Sequence, residues 1–79
     1  MALYKDDRYL LKSAVPVFDE LHRPGDDAPR SGIYRCEGCR KEVASNQGEP
    51  LPPQNHHQHD ESLGDILWRL VVSADHDPK

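Results

Sequence analysis

Gly32-Ile33-Tyr34-Arg35-Cys36-Glu37-Gly38-Cys39-Arg40-Lys41-Glu42-Val43-Ala44-Ser45 is the stretch on which the fold turns. Ile33-Tyr34-Arg35 carries β-branched and aromatic residues straight into Cys36, and Lys41 to Ser45 runs out from Cys39. Two short extended segments that flank a tight turn read as a hairpin, here of about residues 32–46. The turn contains both cysteines of the chain with two residues between them, a spacing that aims two sulfurs at one point. Gly38 is expected to supply any positive φ the turn needs, since most other residues reach that region only with strain.

His56-His57-Gln58-His59 follows downstream, so thiols and imidazoles crowd into residues 36–59 and only His22 and His76 lie elsewhere. These are the soft and borderline ligands that zinc prefers, two thiols and three imidazoles for the four positions of a tetrahedron. His56 with His59 repeats the spacing of the cysteine pair, giving Cys-x2-Cys-x16-His-x2-His. The candidate ligands are therefore Cys36, Cys39, His56 and His59, with His57 paired to His59 as the alternative. The spacing does not decide between these registers. A mixed Cys2His2 set favours Zn2+ over the all-thiolate iron arrangement.

Length explains why a metal is needed. At 79 residues, 35% apolar, with five Gly and seven Pro, the chain can build one small domain whose burial barely offsets the entropy of ordering it. Zinc-finger peptides gain roughly 10–16 kcal/mol from structural zinc, as much as the whole stability of an ordinary domain. The opening Met1-Ala2-Leu3-Tyr4-Lys5-Asp6-Asp7 lacks the basic flank and apolar run of a secretory signal, and no stretch reaches the length of a membrane span. The expected compartment is the cytoplasm, where cysteines stay reduced and metal ligation is preferred to a disulfide.

Other uses of a cysteine pair fit less well. A thioredoxin-like couple sits at a helix N-terminus within a βαβ unit, and this chain lacks the residues for one. A ββα nucleic-acid finger places its histidines on a helix, whereas here Pro52-Pro53 precede them. Catalytic zinc keeps a coordination position for water and a carboxylate beside it, for which Glu42, Asp60 and Glu61 are candidates. So small a module offers little concave surface for substrate, and the expectation is that the protein is not an enzyme.

Net charge is −4, with Asp and Glu dispersed, so nothing draws the chain as a whole to nucleic acid or to anionic lipid. The one basic cluster, Arg30, Arg35, Arg40 and Lys41, reads first as a solvated rim and second as a polyanion contact. Val15-Pro16-Val17-Phe18 reads as extended or edge structure because of its proline, Asp19 to His22 as a single helical turn, and residues 23–32 as turns. Leu51-Pro52-Pro53 is an extended lead to the histidines. Ile66 to Val72 reads as a strand with Ile66, Trp68, Leu70 and Val72 on one face, Trp68 being the core anchor. His22 and His76 read as surface residues.

Pro24-Gly25-Asp26, Ala28-Pro29, Ser31-Gly32-Ile33-Tyr34, Cys36-x2-Cys39, Gly48, Leu51-Pro52-Pro53 and the late Trp68 and Leu70 together resemble the small bacterial zinc-ribbon proteins. In that pattern a PGD-x-AP-x-SG-x-Y segment precedes a Cys-x2-Cys knuckle, and an LPP or FPP lead delivers the second ligand pair. The resemblance covers about residues 24–72. It departs from the pattern where Gln54-Asn55 follow the lead, where histidines replace the second cysteine pair, and at Arg40, often Gly in ribbon knuckles. For function the resemblance implies only that ribbons serve as adaptors, nucleic-acid contacts or structural caps.

The expected fold is a small, metal-stabilised all-β module, a zinc-ribbon-like three-stranded antiparallel sheet with an irregular N-terminal arm. Its parts are a loosely packed arm at 1–23, the module at 24–73 and a flexible tail at 74–79. The expected role is a monomeric, non-catalytic interaction module with a structural Cys2His2 zinc site and a protein partner. A nucleic-acid-binding ribbon is the alternative, followed by a small zinc enzyme or metal-handling protein.

Overall fold

Along β1 (Gly32–Cys36), Tyr34 and Cys36 are fully buried while Ile33 and Arg35, which alternate with them, are only half-buried, the period-two pattern of a strand with one covered face. The computed structural model describes residues 2–52 and 64–74. β1 is the centre of a three-stranded sheet in the order β2-β1-β3, with β2 at Glu42–Ser45 and β3 at Trp68–Ser73, both antiparallel to it. Gly32 to Arg35 face Ser45 to Glu42 in strict register. The sheet expected from the alternation in the sequence is thus present.

On the other side the register slips. Tyr34 pairs with Leu70 but Ile33 pairs with Val72, which leaves Val71 as a bulge. The bulge ends the buried row of Ile66, Trp68 and Leu70, the last two in β3; Val72, expected to continue it, is only half-buried. At the same end of β1, a Cβ on Gly32 would run into the Val72 carbonyl oxygen, so the two backbones meet where only glycine fits.

The segments before the sheet depart from their expected conformations. Pro16–Asp19 is a 3-10 turn rather than an extended edge, because proline is tolerated at the first position of a helical turn, where no N–H is needed. The helical turn expected for Asp19 to His22 is displaced onto it. His22 instead exchanges both backbone hydrogen bonds with Trp68, at 2.8 Å each, and so adds one rung to the outer edge of β3. It is therefore not a surface residue; its ring is largely covered and meets the Tyr34 ring edge-on at 6.2 Å.

Pro24-Gly25-Asp26 has a local physical reason. Asp26 N–H donates to the Arg23 carbonyl at 3.0 Å with Gly25 at φ 87, the requirements of a type II turn with Pro and Gly at its centre. The Asp26 carboxylate accepts from Arg23 N–H at 2.9 Å and locks the turn. The chain then ladders against 48–51 through Ala28 N to Glu49 O, Gly48 N to Ala28 O, Leu51 N to Asp26 O and Gly25 N to Leu51 O. Ala28, Tyr34, Cys36, Leu51, Ile66, Trp68 and Leu70 form the core between this ladder and the sheet, with Val17, Phe18, Cys39 and Val43 packed on its margin.

Candidate metal centre

Cys36 ends β1, and the chain reverses at once. Arg40 N–H donates to the Cys36 carbonyl at 2.9 Å and Cys36 N–H to the Lys41 carbonyl at 2.8 Å, so the turn is closed on both sides of Cys39. The positive φ of this turn falls on Arg40, at 68°, rather than on Gly38. Closing the hydrogen bond to Cys36 and re-entering β2 sets the left-handed position after the second cysteine, not between the two.

A third bond, Glu37 N–H to the Leu67 carbonyl at 2.9 Å, fixes the turn to the chain entering β3. Leu67 in turn presents its own N–H to the Cys36 sulfur. Burial pushes the Cys36 thiol up, but the N–H groups of Cys39 and Gly38, the Cys39 thiol and the Leu67 N–H pull it down further, so it lies below the usual thiol range. The backbone is therefore arranged to favour a thiolate, the form in which sulfur ligates a cation. Both cysteines are free thiols, Cys36 buried and Cys39 half-buried.

The donor set fits half of a tetrahedral zinc site: two adjacent sulfurs on one rigid turn, one of them already biased toward its anionic form. Among the described residues no third His, Cys, Asp or Glu completes a cluster with them. His56, His57 and His59, and with them Asp60 and Glu61, lie outside the described residues. The chain on either side of them is anchored. Leu51 is buried and bonded to Asp26 before it, and Ile66 is buried and Leu67 bonded to Glu37 after it.

Two residues that hold this frame escaped the sequence reading. Arg69 donates from Nε to the Phe18 carbonyl at 2.7 Å and from Nη2 to Asp19 at 3.1 Å, with Nη1 3.7 Å from Glu37. It ties the 3-10 turn to β3 and to the cysteine turn. A lone charge inside the apolar run 66–72 was the available signal. Ser31, also buried, accepts from Gln47 N–H at 2.8 Å through Oγ and, through its carbonyl, from Ala74 N–H at 2.8 Å.

No family model matches the chain, and no solved structure does. It is similar to a protein of Escherichia coli named Protein L, with 54% identity over 54 residues. The aligned region is 68% of this chain and 61% of the relative, so the chain spans about six tenths of the curated relative it matches. Among the described residues no helix is long and apolar enough to cross a membrane.

Proposed function

We propose that the protein is a small zinc-ribbon-like module with a structural Zn2+ held by Cys36, Cys39, His56 and His59, with His57 as the alternative second-pair ligand, acting as a non-catalytic adaptor for another protein. The observation that carries the reading is the cysteine turn, in which backbone N–H groups converge on a buried sulfur at the end of the central strand. That arrangement stabilises charge on a group an ordinary core would keep neutral, and a divalent cation is its natural counter-charge.

The chemistry of the remaining ligands follows from the sequence. Two thiolates neutralise the ion and two imidazoles complete the shell as neutral donors, so the centre suits a folding role. In this reading residues 24–73 are the zinc-bearing unit, kept reduced in the cytoplasm and monomeric. A protein partner is favoured by the arm: Leu3, Tyr4, Tyr9 and Leu11 are largely exposed and Leu10 partly so, more apolar surface than a short segment ordinarily leaves to water.

Cobalt substitution tests the centre. The Co2+ protein should show thiolate-to-metal charge-transfer bands of a two-sulfur site and the ligand-field bands of four-coordination. Single alanine replacements at His56, His57 and His59 should change those bands at two positions and leave them unchanged at the third. A protein that takes up no cobalt, or shows a six-coordinate spectrum without sulfur bands, overturns the reading.

A further inference from the structure

The outer face of the sheet carries a second feature, independent of the cysteine sulfurs. Arg35, Glu37, Arg40, Arg69 and Val71 line an open groove of about 400 Å³. Arg35 and Arg69 are direct cross-strand partners of β1 and β3, which sets two guanidinium-bearing side chains next to one another on one face. Like charges placed so destabilise a sheet unless an anion lies between them. Arg69 has Asp19 and Glu37 within ion-pair range, but among the described residues neither Arg35 nor Arg40 has an ion-pair partner.

Arg40 adds an independent observation. It holds φ 68, a conformation open to glycine without penalty and strained for arginine. A strained backbone position that also delivers a charged side chain to a groove marks the groove rather than the turn, because the turn alone is served better by glycine.

We infer that this groove binds the dianionic phosphoryl group of a small phosphomonoester, gripped by Arg35 and Arg40 with Arg69 at its floor. Arg69 shares its charge with Glu37 and Asp19, so Arg35 and Arg40, which have no ion pair among the described residues, supply the groove's open positive charge toward a phosphoryl group. The groove is several times larger than a phosphoryl group needs, so it has room for the organic part of a small ligand, beside Val71. Among the described residues no aromatic side chain lines it to stack bases, and the chain carries net charge −4, which argues against a nucleic-acid track.

The test is a titration of the intact, as-purified protein with inorganic phosphate, a sugar monophosphate, a nucleoside monophosphate and a single-stranded oligonucleotide. Backbone amide shifts and calorimetry read the binding, and metal content is measured before and after. Saturable binding of a monophosphate, tighter than that of inorganic phosphate, is expected, with shifts centred on Arg35, Arg40, Arg69 and Val71. Arg35→Gln and Arg40→Gly should each weaken it by about tenfold or more, Glu37→Gln should tighten it, and Lys12→Gln on the exposed arm should leave it unchanged. Arg40→Gly serves as the folding control, since it should weaken binding while raising thermal stability. The inference is overturned by absence of saturable binding, by equal affinity for inorganic phosphate, by indifference to Arg35→Gln and Arg40→Gly, or by preference for the oligonucleotide with a steep salt dependence.

Discussion

Gly32 and Arg40 occupy opposite ends of one argument about backbone. At Gly32 the side chain is missing because the Val72 carbonyl fills its place. Gly32→Ala is therefore expected to destabilise the fold by about 3 kcal/mol, since the obstruction is backbone that cannot rotate aside; a urea midpoint close to that of the parent protein would refute the contact. Arg40 is the reverse case, and Arg40→Gly should stabilise by about 0.5–1 kcal/mol through relief of the left-handed strain, less the entropy glycine adds to the unfolded chain. Gly32 was not legible as such in the sequence, and position 40 only through the resemblance, whose knuckles often carry Gly there. Residue type alone points to Gly38 as the flexible residue of the turn, whereas φ here is imposed by closure of the Arg40 N–H to Cys36 O bond. Tyr34 gives a prediction in pH. Its hydroxyl donates to the Arg30 carbonyl at 2.6 Å and accepts from Arg30 N–H at 3.2 Å, and burial, the dominant influence, pushes the phenol up. A raised folded-state value means the contribution is complete below the ordinary tyrosine value of about 10 and is lost as pH rises through the folded value. Urea midpoints from neutral to alkaline pH should fall for the parent protein in a way that Tyr34→Phe abolishes, with Tyr34→Phe less stable by about 1–2 kcal/mol at neutral pH.

At the level of elements, the sheet was readable and its attachments were not. Alternation in Ile33 to Cys36 and in Ile66 to Leu70 is a short-range signal, and short-range signals specify strands. The bulge at Val71 depends on what Gly32 permits on the neighbouring strand, and the Asp27–Pro50 bridge depends on a ladder between segments more than twenty residues apart. Proline in Val15-Pro16-Val17-Phe18 was compatible with both an edge strand and a first helical turn; what selects the turn is Arg69, whose Nε reaches the Phe18 carbonyl. Arg69→Met, which keeps the apolar stem but removes the donors, should release residues 16–22 from β3 at a cost of about 1 kcal/mol. Hydrogen exchange should then quicken at His22, whose amide is bonded to Trp68, while Tyr34 and Leu70 in the sheet centre keep their protection. Unchanged exchange at His22 would show that Val17 and Phe18 dock without the arginine.

For the molecule as a whole the question is what makes so small a core sufficient. Among the described residues seven buried apolar ones cluster under the sheet, and Cys36 is one of them, so the interior is continuous with the cysteine turn. The ladder between residues 25–28 and 48–51 closes the other side, and both flanks of the histidine segment emerge from it or from the strand beside Leu67. Which histidines would bind cannot be read from spacing, because His56 and His57 both stand within three positions of His59 in the sequence. The proposed Zn2+, at about 10–16 kcal/mol, would exceed what a core of this size supplies, so its removal should cross the folding threshold rather than soften the structure. Trp68 reports this directly. It is the chain's single tryptophan and is fully buried, so its emission is expected to be blue-shifted with zinc bound and to move to that of hydrated indole when a chelator is added under reducing conditions. Cys36→Ser and Cys39→Ser should give the chelated spectrum without chelator, and zinc returned to the chelated parent, but not to these variants, should restore the original. Were the reduced, metal-free protein to keep a buried Trp68 and melt cooperatively, the core would be holding itself, and the charge-stabilising turn at Cys36 would need another explanation than a structural ion.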